Sequence, residues 1–268
     1  MTGLPNLPLS GGDGRFGVSP SFLDALAGHG PDPLTQPPAT SGGPAMSVPH
    51  GTTVIGLKFS DGVIMAGDRR ATEGYSIADD RIEKVFAADD HSAVSFAGVA
   101  GQATELVRLF QTELEHYEKV EGERLSLEGK ANRLAQMIRS NLPMAMQGFV
   151  VVPLFGGYDE RRGEGRLFRY DATGGRWEEE DFMSTGSGGK PARSSLKKRF
   201  RPGLDREEAV RIAVEALRDA SEEDVATGGP DPVRSIWPSV KVITSEGVEA
   251  LGDDEVRAAY EALVAEDR

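Results

Sequence analysis

The pattern of apolar and polar positions changes sharply near residue 51. Two runs rich in β-branched and apolar residues, 53–59 and 63–66, flank Ser60-Asp61-Gly62. An Asp-Gly pair between such runs is typical of a β-hairpin. A further apolar run at 93–99 predicts another strand. The ordered part of the chain is therefore expected to begin with a sheet.

Two segments with helical periodicity follow these strands. The segment 101–122 carries apolar residues at helical spacing: Leu106, Phe110, Leu114 and Tyr117. The segment 127–148 places a second set broadly on one side: Leu127, Leu134, Ile138 and Leu142. Spacings near 3.6 residues indicate amphipathic helices. We therefore predict two successive helices, each with one face turned towards the core.

Strand patterns return after these helices. The run 150–159 predicts a strand, and 166–180 predicts a hairpin with Gly174-Gly175 near its tip. A helix is expected from near Asp205, a further hairpin at 239–251, and a last helix from about Asp253. Hairpins make sheets mostly antiparallel, and grouped helices favour layers over alternating βαβ units. The prediction is an α+β fold with a sheet-on-sheet core and helices outside.

The first fifty residues have a different composition. They are rich in Gly, Pro, Ser and Thr, and such a composition supplies neither a packed core nor a regular ladder. An apolar island at 22–26 predicts a single helical turn. Two interpretations stay open for this segment: a disordered tail, or a propeptide that is removed. Composition places the boundary at about residue 50, and with the Gly51-Thr52 junction described below the expected division is residues 1–51 and residues 52–268.

Charge and cysteine content exclude several classes of protein. The net charge is −13, with 43 acidic and 30 basic residues, which argues against binding to nucleic acid or to an anionic membrane. There is no cysteine, so disulfides and thiolate metal sites are excluded, and a reducing cytoplasm fits. The sequence contains neither a run of eighteen apolar residues nor a secretory-signal pattern.

The junction Gly51-Thr52 is the first candidate for chemistry. A strand-initial threonine is commonly only a β-branched strand former. Gly51, however, leaves its carbonyl open to attack by the adjacent Thr52 hydroxyl. An acyl shift from nitrogen to oxygen, followed by hydrolysis, would leave a chain that begins at Thr52. Its α-amine, with a pKa of about 8, would serve as the general base. Thr53 is the rival nucleophile, but strand alternation turns it to the opposite face.

Asp68 and Lys84 form the second candidate. Asp68 ends an apolar strand, where the alternative is an ordinary turn residue, and Lys84 follows in "DDRIEKVF", where the alternative is a surface lysine. Together they suit a nucleophile, because a lysine beside it lowers proton affinities if a carboxylate holds the charge in place. Gly98 lies where a strand meets a helix, so its amide can serve as an oxyanion donor or simply belong to a turn.

Several other motifs carry weaker signals. "STGSGGKPA" does not match the phosphate-loop pattern, because Ser184 takes the first glycine position and Pro191 follows Lys190. Ser187 in this stretch could instead bind a charged terminus. Asp224 lies in "EEDVATGGPD", where a solvated acidic loop is the alternative. The four histidines show no zinc-binding spacing, so no metal site is expected.

In combination these motifs resemble the proteasome β subunit, specifically its actinobacterial form. The resemblance to the family is carried, in chain order, by "GTTVIGLKFSDGVIMAGDRRATEG", "KVF", "FAGVAG", "GSG" and "DVATGGPD". The actinobacterial form is indicated by "ELEHYEKVEG", "NLPMAMQG" and "ATGGPDPVRSIWP". The similarity covers residues 52–268 nearly end to end. It implies an N-terminal-nucleophile hydrolase with a four-layer αββα sandwich. It also implies a threonine endopeptidase of unfolded proteins that needs no cofactor.

The resemblance implies a role for each motif residue. Thr52 would be the nucleophile, Gly51–Thr52 the self-cleaved bond, and Asp68 and Lys84 its supporting pair. Gly98 would supply the oxyanion amide. Ser187 and Asp224 would orient the amine and its water. Thr72 would pair with the substrate backbone. The walls of the specificity pocket would be Ala71, Phe96 and Ala100. Thr227 stands where the family more often has serine.

The resemblance further implies a cytoplasmic assembly. Seven β subunits would form a ring, and two such rings would lie between two rings of α subunits. A ring-shaped ATPase would deliver proteins tagged with a ubiquitin-like protein. Two alternatives stay open: a noncatalytic subunit that only builds the shell, and an amidase of the same fold that acts on a small molecule.

Overall fold

A computed structural model describes residues 51–74 and 76–266. The composition-based tail, the helical turn predicted at 22–26 and the two C-terminal residues lie outside this part of the chain. Within the described residues, no helix combines the length and apolar character that crossing a membrane requires.

Two five-stranded antiparallel sheets form the centre of the described chain. In spatial order, the first sheet contains β10 (Phe182–Gly186), β1 (Thr53–Phe59), β2 (Gly62–Gly67), β11 (Ser239–Thr244) and β12 (Gly247–Ala250). The second sheet contains β5 (Val85–Asp89), β6 (Ser92–Gly98), β7 (Val151–Asp159), β8 (Glu164–Tyr170) and β9 (Arg176–Glu179). A separate ribbon pairs β3 (Ala71–Glu73) with β4 (Ser76–Asp79).

Helices cover the outer faces of both sheets. The helices are α1 (Ala100–Glu121), α2 (Leu127–Ser140), α3 (Leu142–Ala145), α4 (Gly189–Arg199), α5 (Arg206–Glu223) and α6 (Asp253–Glu266). The core of the second sheet includes buried residues of α1 and α2, and that of the first sheet includes residues of α4, α5 and α6. The architecture is therefore the α+β, four-layer αββα sandwich that was predicted.

Both faces of strand β2 are apolar, because each face packs against a different layer of the core. Val63 and Met65 pack between the sheets, whereas Ile64 and Ala66 pack on the helix side. Side chains alternate across a strand, so a sheet between two packed layers buries every position. The hairpin predicted at Asp61-Gly62 is confirmed, because β1 pairs with β2 in the register Phe59↔Gly62.

One predicted helix is broken. The segment 127–148 was expected to be continuous, but α2 ends at Ser140 and a short helix, α3, begins at Leu142. Pro143 lies in the first turn of α3, where its missing N–H costs nothing, while inside a longer helix it would remove a hydrogen bond. Leu142 is consequently 36% exposed, and its predicted place on the apolar side was wrong.

Helix α4 was not located from the sequence. Its segment contains a glycine pair, a proline and several basic residues, which is a poor match to helical periodicity. The structure buries Ala192 and Leu196 in the core beneath the first sheet. Pro191 lies in the first turn, where proline is tolerated. Tertiary packing therefore decides this helix, and it positions the turn of residues 186–188 beside β1.

Candidate active site

Thr52 lies at the entrance to β1 and is almost fully buried. Its hydroxyl Oγ1 donates a hydrogen bond to the carbonyl oxygen of Gly51 at 2.6 Å. The main-chain carbonyl of Thr52 in turn accepts a hydrogen bond from the Ser187 N–H at 3.0 Å. The hydroxyl is thus beside the carbonyl that self-cleavage would require it to attack.

Asp68 is completely buried and accepts four hydrogen bonds. Its Oδ1 accepts from the Thr53 N–H at 2.7 Å and from Lys84 Nζ at 2.6 Å. Its Oδ2 accepts from the N–H groups of Arg70 and Gly228, both at 2.9 Å. Because donors occupy both oxygens, the carboxylate connects β1, the chain after β2 and the 224–228 loop.

Lys84 has a partner for each of its three ammonium protons. Nζ donates to Asp68 Oδ1 at 2.6 Å, to the Arg70 carbonyl at 2.5 Å and to the Gly51 carbonyl at 3.3 Å. Burial lowers the pKa of Lys84 below its usual value, and the Asp68 carboxylate opposes this shift only in part. The site therefore places the Lys84 ammonium, whose pKa is lowered, within hydrogen-bond distance of the Gly51 carbonyl.

Gly51 is tightly enclosed. A Cβ added there would lie 2.6 Å from Thr72 Oγ1 and 2.7 Å from the Ala226 carbonyl oxygen. Any larger residue would push against a side chain and against backbone. Thr72, predicted to pair with substrate, is therefore next to the residue that precedes Thr52.

Thr52 and Thr53 bind different partners, as strand alternation predicted. Thr53 Oγ1 lies 2.6 Å from Thr227 Oγ1 and accepts a hydrogen bond from the Gly188 N–H at 2.9 Å. These partners belong to the turn before α4 and the loop after α5. Thr53 is consequently turned away from the Gly51 carbonyl.

Ser187 and Asp224 lie around this centre without touching the Thr52 hydroxyl. Ser187 Oγ is 3.5 Å from the Thr52 carbonyl oxygen, a weak contact. Asp224 Oδ2 accepts from Thr227 Oγ1 at 2.6 Å, and Oδ1 accepts from the Ala226 N–H at 3.3 Å. Their predicted roles towards a free amine stay predictions.

A narrow cleft adjoins Thr52. Besides Gly51, Thr52 and Lys84, its lining includes four more residues that the sequence suggested: Ala71, Phe96, Gly98 and Ala100. It also contains apolar residues that the sequence did not suggest: Ile82, Phe86 and Ala103. Gly98 has a φ of +121°, and a Cβ there would lie 2.1 Å from the Val150 carbonyl oxygen, so glycine is required.

One residue with a structural role in the site, Arg70, was not selected from the sequence, and Thr227 was named only as standing where the family more often has serine. The Arg70 carbonyl accepts from Lys84, and Arg70 Nη1 donates to the carbonyls of Val225 and Thr227. Thr227 joins Thr53 to Asp224. In the sequence, Arg70 could have been found from its position two residues after Asp68, and the role of Thr227 from its hydroxyl next to Gly228-Gly229.

Other parts of the described chain offer no competing centre of this kind. A larger groove of about 480 Å³ lies between the start of α5 and α6, and none of the candidate residues lines it. In residues 51–74 and 76–266, no cluster of three or more His, Asp or Glu side chains is arranged to hold a metal ion.

The chain is similar to known proteins of one family over most of its length. A family model described as "Proteasome subunit" matches residues 48–234. The chain is 54% identical to "Proteasome subunit beta" of Frankia casuarinae, over 92% of this chain and 90% of that protein. It is 53% identical to the protein of the same name in Jonesia denitrificans, over 98% and 86%. For Acidimicrobium ferrooxidans the identity is 58%, over 82% and 80%.

Proposed function

This chain belongs to the proteasome subunit family, as a β subunit of the bacterial type, and we propose that it is a catalytic threonine protease activated by self-cleavage at Gly51–Thr52. The observation that carries the proposal is the Gly51 carbonyl, which accepts hydrogen bonds from both the Thr52 hydroxyl and the Lys84 ammonium. The nucleophile and a cation that polarises its target meet there. The proposed substrates are peptide bonds of unfolded proteins inside a closed chamber.

Self-cleavage proceeds through an ester. Thr52 Oγ bonds to the Gly51 carbonyl carbon, and Lys84 stabilises the negative charge that develops on the oxygen. The Gly51–Thr52 C–N bond breaks as the proton that left the Thr52 hydroxyl is transferred to the leaving nitrogen. Water then hydrolyses the ester, which yields a Gly51 carboxylate and restores the Thr52 hydroxyl. Thr52 is now the first residue, with a free α-amine.

Peptide hydrolysis repeats the same chemistry on a substrate. The Thr52 amine takes the hydroxyl proton, Oγ attacks the substrate carbonyl, and the amine then protonates the departing peptide. Water hydrolyses the acyl-enzyme. Gly98 is the proposed oxyanion donor, and Ser187 and Asp224 orient the amine and water. Asp68 holds Lys84 charged.

Substrate contacts are assigned on the same basis. Ala71, Phe96 and Ala100 line the cleft beside Thr52, which supports their assignment to the specificity pocket. Thr72 is proposed to pair with the substrate backbone, and its closeness to Gly51 supports this.

The proposed assembly is a cytoplasmic particle of stacked rings. Seven copies form each of two β rings between rings of an α partner, and a ring-shaped ATPase delivers proteins tagged with a ubiquitin-like protein. A noncatalytic shell subunit has no need for the buried Thr52, Asp68 and Lys84 arrangement. A small-molecule amidase would not assemble with an α partner, so native mass after co-expression separates the two.

The mature chain is expected to begin at Thr52, leaving residues 52–268. The physical reason is the geometry around the Gly51 carbonyl. Intact-mass measurement and N-terminal sequencing of particles co-expressed with the α subunit of the same genome will test it. Active particles that retain Met1 would disprove self-activation at this bond.

Substituting Gly51 by alanine is expected to slow self-cleavage. The added Cβ overpacks against Thr72 and Ala226, and overpacking costs about 1–3 kcal/mol, or about 5-fold to 150-fold in rate if the cost falls on the transition state. Gly101→Ala in α1 is the matched control, since its Cβ meets nothing within 4 Å. The measurement is the time course of precursor loss by mass spectrometry. Equal rates in the two variants would contradict the steric argument.

A further inference from the structure

A chain of buried hydroxyl groups lies on the opposite face of β1 from Thr52. The side chains of Thr53 and Thr227 are completely inaccessible to solvent, and their Oγ1 atoms are 2.6 Å apart. The Gly188 N–H donates to Thr53 Oγ1 at 2.9 Å, and Thr227 Oγ1 donates to Asp224 Oδ2 at 2.6 Å. Four groups from three segments are thus joined in sequence.

The direction of every hydrogen bond in this chain follows from the chemistry. An ionised carboxylate only accepts, so Thr227 gives its single hydroxyl proton to Asp224. Thr227 must then accept from Thr53, which gives its own proton to Thr227 and accepts from Gly188. Each proton has one destination, and no member can be removed without leaving a buried partner unsatisfied.

At one end, this chain fixes the backbone around the nucleophile. Gly188 follows Ser187, whose N–H donates to the Thr52 carbonyl at 3.0 Å. The fit is close, because a Cβ at Gly188 would lie 2.6 Å from Thr53 Oγ1. The Thr53 hydroxyl therefore holds the 187–188 turn against the residue that carries the nucleophile.

At the other end, the chain fixes the support of the Asp68–Lys84 pair. Thr227 precedes Gly228, whose N–H donates to Asp68 Oδ2 at 2.9 Å. Asp68 also accepts from the Thr53 N–H. Thr53 consequently connects to Asp68 by two routes, directly through its main chain and indirectly through its hydroxyl.

We infer that Thr53 is a positioning residue whose hydroxyl orients Thr52 for reaction, and is not a strand former only. This inference rests on the proposed function. Thr53 does not contact the Gly51 carbonyl; it acts through the turn at Ser187 and through Thr227. The loss of its hydroxyl should misplace the nucleophile without changing the substrate cleft.

The test compares Thr53→Val with Thr53→Ser. Valine keeps the branched shape and removes the hydroxyl, whereas serine keeps the hydroxyl. We expect Thr53→Val to lower kcat about tenfold or more, because two buried partners lose a hydrogen bond, with KM unchanged. Thr53→Ser should restore most of the rate. The probe is a short peptide amide with a fluorescent leaving amine, and rates are counted per processed subunit in assembled particles.

A second variant removes the other hydroxyl in the same series of hydrogen bonds. Thr227→Val should lower kcat as Thr53→Val does, and the double variant should be no slower than the slower single variant. Tyr170→Phe is the control, since it removes a buried hydroxyl in β8 that donates to the Ala131 carbonyl of α2, away from the Thr53–Thr227–Asp224 hydrogen bonds. We expect it to leave kcat unchanged.

The results separate this inference from the proposed function. Wild-type kcat in Thr53→Val, or strictly multiplied losses in the double variant, would overturn the inference while leaving Thr52 as the nucleophile. Failure of Thr53→Val to assemble, with normal kcat in assembled Thr227→Val, would also overturn it, since the hydroxyl would then serve stability alone. Hydrolysis by a Thr52→Ala particle would overturn the proposed function itself.

Discussion

Thr52→Ala is expected to abolish both self-cleavage and peptide hydrolysis while leaving the fold intact. Alanine keeps a small buried side chain at a position that is only 6% exposed, and removes the hydroxyl that lies 2.6 Å from the Gly51 carbonyl oxygen. Loss of a covalent nucleophile typically costs about 10⁴-fold or more in rate. The measurements are intact mass for processing and fluorogenic peptide turnover for hydrolysis.

Thr52→Ser is the control for this substitution. Serine keeps the hydroxyl and loses the methyl group that restricts its rotamer, so we expect partial processing and partial turnover. Appreciable hydrolysis by the alanine variant would mean that another residue, such as Thr53, is the nucleophile. Native mass and thermal unfolding establish that each variant is folded and assembled.

Lys84→Ala is expected to be nearly inactive, and Lys84→Arg only partly active at best. The ammonium donates three hydrogen bonds in a buried site, to Asp68, the Arg70 carbonyl and the Gly51 carbonyl. Arginine keeps a charge, but its planar fork is larger and presents its donors in a fixed arrangement that these acceptors do not match. If the two variants hydrolyse peptides as wild type does, Lys84 has no part in the chemistry.

Asp68→Asn tests the same pair from the carboxylate side. Four donors point at the two Asp68 oxygens, and an amide presents one oxygen and one NH₂ group, so two donors would face donors. The buried lysine also loses its counter-ion, at a cost of about 3–5 kcal/mol. We expect turnover to fall strongly and folding or ring assembly to weaken.

Lys130→Ala provides a matched comparison. Lys130 is a second buried lysine paired with an aspartate, Asp89, at 2.5 Å, on the other side of the second sheet. Its loss should lower stability but not the peptidase rate per assembled particle. Normal rates per particle in both Lys84→Ala and Asp68→Asn would refute the proposed site, even if Thr52 proved essential.

The sequence by itself determined the local elements with strong periodicity or turn chemistry. The β1–β2 hairpin follows from Asp61-Gly62, and helix α5 begins where Asp205 and Glu208 form a capping box. The opposite orientation of Thr52 and Thr53 follows from the two-residue period of a strand. These features depend on neighbouring residues only, so the order of residues is sufficient to predict them.

The sequence also supplied the residues of the candidate site, but not what joins them. Thr52, Asp68 and Lys84 were selected by type and by resemblance to a family. Their catalytic roles stay predictions, while the Lys84–Asp68 contact at 2.6 Å is observed. The contact of Lys84 with the Gly51 carbonyl was not expected.

Only the tertiary structure decided the elements and contacts that depend on distant segments. Helix α4 lacks a clear periodic pattern and is held by packing beneath the first sheet. The Thr53–Thr227–Asp224 chain joins residues more than 170 positions apart. Hydroxyl and backbone groups carry no periodic signal that identifies a remote partner. These groups pair because β1, the turn before α4 and the loop after α5 pack together and exclude water. Each buried hydroxyl or N–H then has one acceptor within reach.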